Sequence, residues 1–325
     1  MTTSRPLPAD LGSAFSCRQA RSEGVSKHRL RRPDLDRPFH GARLVPVGPG
    51  AEDRDTDAGH SSGREVELRR LEALQSVLPA HAFFTSLTAA WLWEMPLPAG
   101  EPHQVHVGVP RECAPVDRPG VTSHRMQPHL ISLANGSRLR ALDRATTWAA
   151  LAAEVPLDDL VAAADHLLWV PRDPRREGAA PLGTPLVSGR ELADVLERGR
   201  WRGGSSAREA LGLARDGSMS PPETHLRLLL HRNGLPEPEL NANIFDGRGH
   251  RFNADAVFRS YRVYLEYQGN HHRSLQQQTA DTDRAHTLRE TGWEGIEVTA
   301  SHLYRGPSAL VRRVGEALAR RGWTP

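Results

Sequence analysis

The run RFNADAVFRSYRVYLEYQG, residues 251–269, constrains the fold more tightly than any other stretch of the chain. Two segments of strand composition, Arg251 to Arg259 and Arg262 to Gln268, flank Ser260-Tyr261, and Gly269 closes the second. If Ser260-Tyr261 is a two-residue turn, Arg259 faces Arg262, Phe258 faces Val263, Ala256 faces Leu265 and Ala254 faces Tyr267. That is one apolar face. The other face then sets Asp255 directly across from Glu266 and Asn253 across from Gln268. Directly opposed side chains have Cβ atoms about 4.5–5.5 Å apart, and like charges there are destabilising. Two carboxylates so placed need a shared proton or a cation. A magnesium or manganese ion, preferring oxygen ligands, would resolve the conflict. A register slip of one residue separates the acids and leaves them on a solvated face.

The elements around this hairpin give it a setting. Ser220, Pro221, Pro222 and Glu223 open a helix whose apolar side is Leu226, Leu229 and Leu230, stopped at Asn233-Gly234. A strand follows at Leu240 to Phe245, then a turn at Asp246 to Gly249 and the hairpin itself. A helix over Asp281 to Glu290, a strand over Gly295 to Thr299 and a basic helix over Pro307 to Arg321 finish the chain. Helix, three-stranded meander, helix, strand and helix describe a small α/β sandwich with a mixed sheet.

Upstream, the spacing predicts helices over Phe15–Arg21 and Ser26–Arg31 (capped by Ser26), then an extended segment over DLDRPFHGARLVPV. That is the order of a winged-helix fragment, with Lys27, Arg29, Arg31 and Arg32 available for phosphate. Residues 48–63 read as a polar linker, Glu65 to Val77 and Phe83 to Trp93 as helices, and HQVHVGVP as a half-buried strand partnered by GVTSHRM. Thr146 to Glu154, Leu157 to Val170 and two short helices within Leu186 to Leu213 complete a mostly helical scaffold, interrupted by a second linker at 172–185. The expected divisions are therefore 1–60, 61–175, 176–217 and 218–325, an α+β chain overall.

Composition narrows the function classes. A chain of 325 residues has material for about two domains. Hydrophobic content of 38% and charged content of 25% exclude wholesale disorder. No apolar run approaches the roughly 18 residues of a membrane span, and the first residues lack a secretory core, so a cytoplasmic protein is expected. Cys17 and Cys113 cannot make a disulfide framework or a cysteine-rich zinc site. Of 42 basic residues only Lys27 is lysine, leaving 41 arginines. Residues 1–50 hold nine basic and four acidic side chains, and residues 301–325 hold five and one. Basic ends suit a polyanion such as DNA, although they serve equally as a solubilising surface.

The remaining candidates each have two readings. Glu223 belongs to the site or to a capping box, Ser220-x-x-Glu223. Gln268 orients water or is a surface amide. His271 and His272 act as base or phosphate ligand, or are loop histidines. Trp293 is a core residue or a stacking platform.

Taken in order, SPPETHLRLLL, RFNADAVF, YLEYQGNHHR, Asp281-x-x-Arg284 and GWEGIEVTA resemble an uncharacterised bacterial domain related to very-short-patch repair endonucleases, within the PD-(D/E)XK nuclease superfamily. The resemblance spans roughly residues 218–322 and implies a restriction-endonuclease-like sandwich. It implies that Asp255, Glu266 and Glu223 are the acids of a nuclease centre. Gln268 stands where the superfamily often has lysine and this family more usually has an acid, a departure that puts catalysis in question, since glutamine cannot carry charge. Asp281 and Arg284 match a helix-borne ion pair, structural or phosphate-binding. More weakly, GVSKHRLRRPDLDRPFHGARL, SLTAAWLWEMPLP and VHVGVP resemble the abortive-infection-antitoxin-like region that precedes such a domain in other proteins.

Two functions follow as expectations. One is a magnesium-dependent endonuclease with Asp255, Glu266 and Glu223 at the metal, Gln268 on the water and His271 or His272 assisting proton transfer. Lys27, Arg29, Arg31, Arg32, Arg273, Arg284, Arg312 and Arg313 would then hold DNA. The other is a DNA-binding regulator that keeps the nuclease fold without turnover. No membrane partner is expected, and the oligomeric state is open.

Overall fold

The computed structural model describes residues 6–46, 56–98, 104–172, 182–245, 251–268 and 288–325, with backbone alone for 56–62. The chain packs as two compact units, residues 1–85 with 103–142 and residues 86–102 with 143–325. It is a mixed α/β protein with small sheets in both units.

The first unit opens with β1 (Ala14–Ser16), α1 (Cys17–Ser22) and β2 (Ala42–Leu44), the two strands antiparallel. Ser16 ends β1 and caps α1, its hydroxyl accepting from Gln19 N–H at 3.0 Å. Phe15 is therefore a strand residue, not the start of a helix as expected. The second expected helix is a single 3₁₀ turn, Arg29–Arg31, whose entry Ser26 does cap (Arg29 N–H to Ser26 Oγ, 3.1 Å). It stops at Arg32 because the following Pro33 disfavours helical backbone there, and Arg32 is extended with ψ 151°. Strand, helix, 3₁₀ turn and strand thus replace helix, turn, helix and strand. Their core is Leu11, Phe15, Ala20, Val25, Leu30 and Leu35.

α2 (Thr56–Gln75) begins inside the segment expected to be a linker. Extending a helix costs less than nucleating one, so a helix anchored by Leu71 and Leu74 can run back through polar sequence. β3 (Phe83–Phe84), β4 (Val105–Pro110) and β5 (Val121–Met126) form a sheet in that order, β4 antiparallel to β3 and parallel to β5. Phe83 and Phe84 are strand rather than helix, because each finds a partner on β4. β4 is buried on both faces rather than alternately, as strands of parallel pairs usually are. His106 is tolerated inside it because His124 on β5 supplies a ring-to-ring hydrogen bond of 2.9 Å.

The second unit begins with helices α3 (Ser86–Leu92), α4 (Arg144–Leu151), α5 (Leu157–Leu168), α6 (Gly189–Glu197), α7 (Gly204–Leu213) and α8 (Pro221–Arg232). Asp143 caps α4 through Thr146 N–H at 2.7 Å, and Ser188 with Glu191 forms a full capping box on α6. Strands β6 (Glu239–Phe245), β7 (Arg251–Phe258), β8 (Val263–Gln268) and β9 (Glu294–Thr299) lie side by side in sequence order. The first three are antiparallel and β9 is parallel to β8, so the sheet is mixed, as expected. α9 (Ala300–Tyr304) and α10 (Pro307–Arg320) follow. Leucines of α8, α9 and α10 cover the face formed by Ala256, Phe258, Val263, Leu265, Ile296 and Val298.

Candidate acid site on the four-stranded sheet

The hairpin keeps the expected register with a different turn. Phe258 pairs with Val263, Val257 with Tyr264 and Ala256 with Leu265. The connection is a 3₁₀ turn over Arg259–Tyr261 closed by Arg262 at φ 51°, so Arg259 and Arg262 are loop residues rather than a facing pair. The assigned pairs end at Ala256–Leu265. One step further, the Asp255 carboxylate enters the ladder and accepts the Tyr267 N–H at 2.5 Å. Asp255 is thereby fixed against the strand that carries Glu266, although the two are not an assigned pair.

Asp255 also marks a break in alternation. Ala256 and Phe258 pack under the helices, whereas Ala254 and Val257 pack on the opposite face with Ile244, Tyr264 and Leu288. Ala254 and Ala256 therefore lie on opposite faces, which corrects the expected single apolar face. The cause stands on the neighbouring strand. Between β6 and β7 the register runs from Leu240–Ala256 to Ala242–Ala254 and passes over the position shared by Asn241 and Asp255, where Asn241 is left-handed at φ 45°. Asn253, expected across from Gln268 on β8, pairs on its other side with Asn243 of β6 and donates to the Asn241 carbonyl at 2.8 Å. Gln268 pairs with Thr299 on β9.

Glu266 shares its side of β8 with Tyr264, and its register partner on β9 is a third acid, Glu297. Burial, and then the Glu266 carboxylate, push the Tyr264 hydroxyl up to about 12. Glu297 was not singled out from the sequence. Only the β8–β9 register reveals it.

Glu223 is held at the entrance of α8. It accepts from Met219 N–H at 2.9 Å, Ser220 Oγ–H at 2.7 Å and Asn241 Nδ2–H at 2.6 Å. The expected reciprocal capping box does not form: Ser220 gives its hydroxyl proton to Glu223 and caps no backbone group. Through Asn241, Glu223 reaches the register position of Asp255. Among the described residues, no group of three or more His, Cys, Asp or Glu side chains could hold one metal ion. Asp255 and Glu266 still supply hard oxygen donors on neighbouring strands. Magnesium is commonly held by one or two carboxylates together with waters and phosphate oxygens, so this donor pair fits it.

A buried network fixes α8 and hence Glu223. Asp165 of α5 accepts from Thr224 Oγ1 at 2.8 Å, Arg227 Nη2 at 3.0 Å and Arg215 N–H at 2.7 Å. Burial pushes the Asp165 carboxyl up, against the pull of Arg227 and the N–H and O–H donors. Beside it, His225 bridges Asp159 (3.4 Å) and the Tyr304 hydroxyl (2.9 Å), tying α8 to α5 and α9.

His271, His272, Arg273, Asp281 and Arg284 lie outside the described residues. Trp293 packs in the cluster around Tyr264, as a core residue. Of the proposed phosphate contacts, Arg29 is paired with Asp34 at 2.9 Å and Arg313 donates to the Glu297 carbonyl at 2.7 Å. Arg312 stands 3.9 Å from Glu316 on an exposed helix face. Cys17 and Cys113 are free thiols.

No protein-family pattern matches the chain. Two curated proteins of Mycobacterium tuberculosis, the uncharacterized proteins MT2308 and Rv2248, are each 31% identical over 131 residues, which is 40% of this chain. The chain spans about half the length of these relatives (48%). Among solved structures, the RV2827C protein of Mycobacterium tuberculosis aligns with 62% of this chain and 71% of its own, at 17% identity and a TM-score of 0.37. That similarity is too low to carry an argument. Among the described residues no helix is long and apolar enough to cross a membrane.

Proposed function

We propose that this chain acts on DNA and hydrolyses phosphodiester bonds with magnesium or manganese at Asp255 and Glu266. One observation carries the reading: β7 breaks its alternation at Asp255, whose carboxylate turns onto the backbone of β8 beside Glu266. A strand that gives up regular pairing to hold an acid beside another acid is doing so at a cost of pairing, and a functional site is where such irregularities concentrate.

Asp255 and Glu266 would hold a divalent ion, which when bound would polarise a phosphoryl oxygen of the substrate and lower the pKa of a bound water. The Tyr267 N–H orients the Asp255 carboxylate, and Glu266 contributes the second oxygen donor from the adjacent strand. Gln268, two residues on and on the same side as Glu266, positions water through its amide without accepting a proton. Glu223 holds Asn241 in place and so maintains the strand geometry at Asp255. His271 or His272 is assigned the proton transfer, and arginines hold the phosphate backbone, a contact that positions without specifying sequence.

Plasmid nicking by the full chain with magnesium or manganese, beside Asp255→Ala and Glu266→Ala, tests this reading. Metal-dependent cleavage lost in both variants is the expected result. Cleavage that survives in both would sink it.

A second reading, a DNA-binding regulator without turnover, is favoured by the three hydrogen bonds that engage Glu223 and by the amide at Gln268. It predicts salt-sensitive DNA binding and no cleavage with either ion.

A further inference from the structure

In the first unit, the turn between α1 and β2 walls a cavity of about 600 Å³. This is within the size range of small-molecule sites, roughly 300–1,000 Å³. Five cationic side chains line it: Arg21, Lys27, Arg31, Arg37 and Arg43. Two of them are held in place by backbone. Arg43 donates Nε to the Leu30 carbonyl and Nη1 to the Ala42 carbonyl, both at 2.6 Å, and Arg37 donates Nη2 to the Arg31 carbonyl. Among the described residues none of the five forms an ion pair with a carboxylate, whereas Arg29, just outside the cavity, is paired with Asp34. Five like charges around one opening repel one another, and an anion relieves that repulsion. At its base Leu30 and Phe39 are almost fully buried, and the Arg70 guanidinium lies 5.0 Å over the Phe39 ring.

We propose that this cavity binds a compact ligand carrying linked phosphates, the chemistry shared by inorganic polyphosphate and nucleoside triphosphates. The phosphates lie among the five cations. Arginine suits the task because its fork presents paired donors to phosphate oxygens, and carbonyl anchoring lowers the entropy lost on binding. A concave site favours a compact ligand over the convex backbone of a duplex. The proposal is independent of the acid site in the second unit.

Isothermal titration of the full chain in metal-free buffer tests it, with ATP, inorganic tripolyphosphate and a duplex oligonucleotide as separate titrants. ATP and tripolyphosphate are both expected to bind, and salt to weaken both. Lys27→Glu and Arg31→Glu, both at exposed positions, should each weaken ATP binding by about tenfold or more, from the loss of a charge-assisted contact and the added repulsion. Arg190→Glu, the same charge reversal at an exposed position of the second unit, should leave ATP binding unchanged. The proposal falls if ATP gives no heat, or if the two cavity variants bind it as tightly as the parent chain. It falls equally if only the duplex binds in a manner that depends on Lys27 and Arg31, because the surface is then a groove for nucleic-acid backbone.

Discussion

Asn241 sits in the middle of a strand with a backbone conformation that most residues avoid, φ 45°. Asparagine tolerates the left-handed region better than other residues bearing a Cβ, and here its side chain is also used, donating to Glu223 and to the Gly217 carbonyl. The two contributions are separable. Asn241→Gly keeps the backbone and removes the amide, whereas Asn241→Ala removes the amide and adds strain. Urea unfolding should show both variants less stable, with alanine lower than glycine by about 1 kcal/mol, the order of cost for a residue held in a sparsely populated region. Equal stabilities would mean that the backbone at Asn241 relaxes without penalty. Nothing in ELNANIF marks this asparagine apart from Asn243 two places on, so the feature that sets Asp255 was not legible in the sequence. The register of Phe258, Val257 and Ala256 was legible, because these side chains pack on both faces of the sheet and a slip of one residue would exchange the two sets.

The central sheet of each unit uses one device: an aromatic ring laid across a glycine on the neighbouring strand. Phe83 of β3 covers Gly108 of β4, and Tyr264 of β8 covers Gly295 of β9, each pair in register. A Cβ on Gly108 would lie 2.2 Å from the Phe83 ring, and one on Gly295 would lie 2.4 Å from the Tyr264 hydroxyl. Gly295→Ala must displace the Tyr264 ring from its cluster with Ile244 and Val257, at a cost of about 1–3 kcal/mol. Gly212→Ala, inside α7 with no neighbour within 4 Å among the described residues, should instead stabilise by about 0.5–1 kcal/mol. Chemical denaturation of the two variants distinguishes steric from intrinsic effects, and a destabilised Gly212→Ala would contradict the open space around that helix position. Element type was legible wherever periodicity was strong, as for α8, β7, β8 and α10. It failed where local punctuation governed. Pro33 shortened a helix to one turn, and Phe83-Phe84 read as helix from its composition alone when pairing with β4 made it strand.

At the scale of the whole molecule, acid sensitivity has an identifiable source in the second unit. Among the described residues, the buried Nε2 of His166 in α5 has no hydrogen-bond partner. Burial is the main force lowering its pKa below 6.5; the Glu94 carboxylate pulls the other way and Arg144 adds to the lowering. The unfolded chain therefore takes up a proton that the folded chain resists, so the stability contributed by neutral His166 is complete above about pH 6.5 and is lost as pH falls through the lower folded value. Melting temperature should decline below pH 6.5 in the parent chain and decline less in His166→Gln, and parallel curves for the two would rule His166 out. The arginine bias read from the composition has a consequence in the hands of a chemist. Lys27 is the chain's one lysine, and it lies at the mouth of the cationic cavity in the first unit. Apart from the terminal amine, every reagent selective for primary amines meets the protein at this single position. Acylation of that amine becomes a stoichiometric report of whether the cavity is occupied, and a dye or crosslinker can be installed there without engineering a cysteine.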